Sequence, residues 1–153
     1  MHDDPQRLRQ LKAAMRWRTL LQERAKLQWQ VALQQLALAV TLWQAEMVRY
    51  QDIVRQQQQL MAHGIALNPA MQAQRISALS AARAMLIARQ CSVDDARTRV
   101  QASKATWMKA RGHADAAGKA RQRVAMALAQ HQQAEALTDI MDAQYRQGGC
   151  YGV

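Results

Sequence analysis

The residues that most often carry chemistry are sparse in this sequence and badly placed for it. Ser77, Ser80, Ser92 and Ser103 have no histidine at a spacing that would bring a general base alongside, so no nucleophilic triad is legible. His2, His63, His113 and His131 lie far apart, with no cysteine or paired carboxylate beside them at ligand distance. Cys91 and Cys150 share neither a metal-binding nor a redox spacing. The six glycines, at 64, 112, 118, 148, 149 and 152, form neither a phosphate loop nor a dinucleotide fingerprint. The expectation is a protein that is not an enzyme and holds no metal and no cofactor.

The elements that would position any site are helical. Only 2 Pro and 6 Gly occur in 153 residues, too few for the turns of an all-β or βαβ chain, and Phe is absent. Ala, Leu, Met, Gln and Arg dominate, and these are mostly good helix formers. Asp4-Pro5 and Asn68-Pro69 each read as a cap followed by proline at the first helical position, and His63-Gly64 reads as a helix end. The predicted organisation is one domain with helix 1 over about 5–62, a loop over about 63–68, helix 2 over about 69–147 and a fraying tail over 148–153. At 1.5 Å per residue these helices would run roughly 87 and 120 Å, an elongated all-α arrangement.

Heptad spacing argues that the two helices pair. Trp29, Leu33, Leu36, Val40, Trp43, Met47, Tyr50, Val54, Gln57 and Met61 follow a 4-3 alternation. On helix 2, Leu79, Leu86, Val93, Val100 and Trp107 recur at sevens, interleaved with Ala82, Arg89, Ala96, Ser103 and Ala110. Folding back at 63–68 makes facing residue numbers sum to about 132. That register sets Tyr50 against Ala82, Leu36 against Ala96, Trp29 against Ser103 and Trp43 against Arg89, mostly large against small. The antiparallel hairpin is favoured over a parallel dimer because the turn supplies this register. Residue 8 then meets residue 124, leaving 124–147 as an overhang with Leu137, Ile140, Met141 and Tyr145 on an uncovered apolar face. Such a face is an interaction site, a frayed end or a surface for self-association. Gly112 and Gly118 are expected to weaken helix 2 and to permit a bend there.

Charge and hydropathy set the surroundings. With 21 Lys+Arg against 11 Asp+Glu the chain carries +10, which asks for an acidic partner. Arg83, Arg89, Arg97, Lys104 and Arg111 line an edge of helix 2, but no aromatic side chain stands beside them as single-strand binders require, so nucleic acid is disfavoured. Two unpaired thiols fit a reducing cytoplasm, and the charged start of the sequence lacks the apolar core of a signal peptide. The run Leu27–Ala45 contains Gln28, Gln30, Gln34, Gln35 and Gln44, too polar for hydrocarbon, so no membrane span is expected.

This layout resembles the FliJ/YscO family of type III secretion, in its injectisome-type members. The resemblance rests on the two-helix architecture, on the turn Gly64-Ile65-Ala66-Leu67-Asn68-Pro69 followed by Ile76, Leu79 and Ala82, on Trp107, and on the closing Glu135-Ala-Leu137 with Ile140-Met141-Asp142. It implies a non-catalytic stalk protein located in the cytoplasm at the inner-membrane face of a secretion apparatus, with a role in virulence. Its paired termini would enter the export ATPase hexamer through Leu8, Leu11, Met15, Leu137, Ile140, Met141 and Tyr145. Its hairpin tip would meet the cytoplasmic ring of the export gate through Ile76, Leu79, Ala82 and Leu86, and export chaperones would be further partners. Arg75 departs from the family pattern, which has a large apolar residue there. Leu79 and Leu86 are also seam positions, and plain core is the alternative reading of both. The alternative function is a basic coiled-coil adaptor, structural, dimeric and chaperone-like, or associated with nucleic acid.

Overall fold

The computed structural model describes residues 3–64 and 68–149; the loop tip at 65–67 and the tail from Cys150 lie outside the described residues. Two long helices pack against each other as an all-α hairpin, with no strand among the described residues. Helix α1 spans Asp3–Ala62 and helix α2 spans Pro69–Gly148. The sequence signals at the turn operate as expected. Gly64 takes φ 60°, a left-handed conformation that costs glycine little, and its N–H donates to the Met61 carbonyl at 3.3 Å. Asn68 caps α2, its Oδ1 accepting from the Ala70 N–H at 3.2 Å and its carbonyl from the Gln72 N–H at 3.0 Å. At the other end, α1 begins two residues before Pro5, so Asp4 lies within the helix. Helix α2 runs unbroken through Gly112 and Gly118.

The chain divides into two compact units: a hairpin unit, Ala25–Trp107, and a terminal unit, Met1–Arg24 with Met108–Val153. In the hairpin unit the buried residues are Ala25, Ala32, Ala82, Val93 and Ala96. Small side chains predominate there because two helices close completely only over the floor of the seam, while bulkier ones reach its open flanks. Trp29, Leu36, Val40, Trp43, Met47, Tyr50 and Val54 are accordingly half-buried. Every predicted seam position of α2 within this unit, from Leu79 to Trp107, is half-buried or buried. On α1 two positions differ: Leu33 and Met61 are exposed, at 39% and 71%, and Ala32 and Leu60 take their places in the seam.

The register also differs from expectation. Trp29 stacks on Trp107, with ring centroids 4.9 Å apart and planes 11° from parallel, so it meets α2 one helical turn beyond the predicted Ser103. Carried along the unit, this shift sets Trp43 across from Val93 rather than Arg89, Leu36 from Val100 rather than Ala96, and Tyr50 from Leu86 rather than Ala82. Near the turn, Ile53, Gln56, Gln57, Leu60, Arg75 and Ala78 line a cavity of 160 Å³. Both seams repeat in the same three-and-four alternation, so sliding one past the other by a turn leaves seam residues on the seam. Periodicity therefore cannot set the register. The large-against-small rule favoured the wrong one because two flat indoles fill the space as a stacked pair.

The terminal unit repeats the pattern. Leu8, Leu11 and Met15 of α1 are half-buried, as are Ala114, Ala117, Arg121, Val124 and Leu128 of α2. Arg121 Nη1 donates to Met15 Sδ at 3.7 Å, again one turn beyond the register expected for Met15.

Candidate interaction site

The one-turn shift moves the start of the overhang. Val124 was expected to be the first residue beyond the paired region, yet Val124 and Leu128 are half-buried, and continuous exposure runs from 129 to 149. Within the terminal unit this stretch of α2 is helical to Gly148 and has no covering helix.

Its side chains segregate into two faces. At about 100° per residue, Glu135, Asp139 and Asp142 continue the line of Val124 and Leu128, the face that packs on α1 in the paired part of the unit. The seam therefore ends where its positions turn acidic. Leu137, Ile140 and Met141 lie on the opposite face, in line with the exposed Met126, and Tyr145 borders them. Exposure is 62% for Leu137, 55% for Ile140, 68% for Met141 and 86% for Tyr145. His131 Nδ1 lies 3.3 Å from Glu135 Oε1, and Thr138 Oγ1 donates to the Ala134 carbonyl at 2.9 Å, both within the helix. An amphipathic helix with an exposed apolar stripe and an acidic back is suited to lying in an apolar groove of a partner.

The other predicted contact residues are placed differently. Leu8, Leu11 and Met15 face α2 within the terminal unit and are part of its seam, so they hold the helix pair together before they contact anything else. In the hairpin unit Ala82 is buried at 8%, and Leu79 and Leu86 are half-buried in the seam; Ile76, 57% exposed, is the one residue of that predicted set open to a partner. Arg75 is half-buried against the cavity near the turn, and its Nη1 has no hydrogen-bond partner among the described residues. The basic edge is present in part. Arg83, Arg97 and Lys104 of the hairpin unit and Arg111 of the terminal unit are exposed, whereas Arg89 turns into the seam with its Nε buried. Among the described residues no group of three His, Cys, Asp or Glu side chains is arranged to hold a metal ion, and no helix is long and apolar enough to cross a membrane. Compared with protein-family models, curated proteins and solved structures, the chain matches none.

Proposed function

We propose that this chain is a non-catalytic coupling stalk of a type III protein secretion system, working in the cytoplasm at the inner-membrane face of the apparatus. In this reading the end of α2 beyond Leu128 docks on the export ATPase ring through Leu137, Ile140, Met141 and Tyr145, while the paired termini behind it act as a stiff shaft. The hairpin end, with Ile76 as its exposed apolar residue, meets the export gate. Export chaperones are further candidate partners. The observation that carries the reading is the uncovered end of α2, where an apolar stripe stands exposed opposite three carboxylates. The family resemblance of the sequence supplies the identity of the partner.

Replacing Leu137, Ile140 and Met141 together by Glu tests this contact, because all three are exposed and the change leaves the helix pair untouched. The full chain is expected to co-purify with the cognate export ATPase, and the triple variant, with unchanged helical CD, is not. Equal recovery of the ATPase by both proteins would remove the stripe from the interface.

A further inference from the structure

A second apolar stripe lies in the hairpin unit, on the face of α1 turned away from α2. Leu27 is 62% exposed, Val31 51%, Leu38 61% and Leu42 37%. At about 100° per residue these four cluster within roughly 60° of one another. They are centred about 140° around the helix from Ala25, Trp29, Ala32, Leu36 and Trp43, which form the seam with α2. Helix α1 of the hairpin unit thus carries two apolar stripes, and only one of them is covered.

We infer that a second copy of this chain docks on this stripe, α1 against α1 and antiparallel, giving a four-helix dimer. Three observations select that occupant. First, within the uncharged stretch the spacing is symmetric: Leu27, Val31, Leu38 and Leu42 are separated by four, seven and four residues, so these four positions superpose on themselves when turned end for end about Gln34-Gln35. A two-fold interface requires such self-complementarity, and here it sets Leu27 opposite the partner's Leu42 and Val31 opposite the partner's Leu38. Second, no Asp, Glu, Lys or Arg occurs from Leu27 to Ala45, and the flanks are Gln28, Gln30, Gln34, Gln35 and Thr41. Two chains of the same positive sign can therefore meet here without opposing like charges, and an acidic partner would find no cation on the stripe to pair with. Third, a helix face of this length, with its alanine and glutamine neighbours, buries on the order of 600 Å² per copy, at the lower end of specific interfaces. The pairing holds whether or not the chain acts as a stalk.

The full chain is expected to have twice its 17.3 kDa mass by sedimentation equilibrium. Val31→Glu/Leu38→Glu is expected to halve that mass with unchanged helical CD, since both side chains are exposed. A wild-type chain that stays at 17.3 kDa at its highest soluble concentration overturns the inference, as does a double variant that still dimerises. Orientation is read separately by disulfide formation in a Cys91→Ser/Cys150→Ser background. Gln34→Cys is expected to link to its own mate, and Leu27→Cys only to a chain carrying Leu42→Cys. Self-linkage of Leu27→Cys would mean parallel pairing and would refute the proposed dimer.

Discussion

Trp29 and Trp107 lie face to face across the seam of the hairpin unit, so removing either indole takes away both buried area and a stacking partner. Trp29→Ala is expected to lower the unfolding free energy by about 3 kcal/mol in a urea melt, and to abolish the exciton signal of the stacked pair in the CD spectrum. Arg75 makes the opposite case. Its Nη1 is buried without a hydrogen-bond partner among the described residues, beside Leu60 and Ala78. Arg75→Leu is expected to raise stability by about 1 kcal/mol, since an apolar side chain carries no such desolvation cost. A loss of stability in the same melt would show that the guanidinium has a compensating role. The sequence marks both tryptophans as seam members but not that they meet. Register is a pairwise property, and spacing along one helix does not contain it.

At the level of elements, the helix ends that flank the turn were the most legible feature, whereas the Asp4-Pro5 signal did not mark the start of α1. Gly64 and Asn68 act through their own backbone and side-chain chemistry, independent of packing, and both behave as their residue types dictate. Asn68→Ala is expected to cost about 1 kcal/mol through loss of the cap, and thermal melts of the two proteins would measure it. Within α2, a Cβ built on Gly112 or on Gly118 meets nothing within 4 Å, and neither residue has positive φ. Each Gly→Ala change is therefore expected to stabilise by about 0.5–1 kcal/mol through the lower entropy of the unfolded chain. Destabilisation by either would mean that the helix relies on glycine's freedom at that point. The overhang begins at 129 rather than at 124 for the same reason that Trp29 meets Trp107 rather than Ser103. Both expected positions depend on the assumption that the chain folds symmetrically about its turn, and the turn does not impose that symmetry. A clue lay in the sequence itself: no seam position of α2 through Leu128 is acidic, and Glu135 and Asp142 then occupy successive ones.

For the molecule as a whole, charge is divided as sharply as hydropathy. In the terminal unit the paired segments, 5–24 and 108–128, carry eleven Lys and Arg against Glu23 and Asp115, while the uncovered segment, 129–149, carries Glu135, Asp139 and Asp142 against Arg146. The overall +10 thus conceals an acidic end, which net charge could not reveal. That acidic, apolar-striped end is the part of α2 without a covering helix, and the stalk reading assigns it to the ATPase ring. The most direct test is ATP turnover by the cognate export ATPase, compared between the full chain and a chain ending at Gln130, which keeps the half-buried Val124 and Leu128 and hence the intact seam. The stalk reading predicts that the full chain raises turnover and hexamer assembly, and that the shortened chain, equally stable, does neither. Stimulation by the shortened chain equal to that of the full one, or no effect of either, would contradict it.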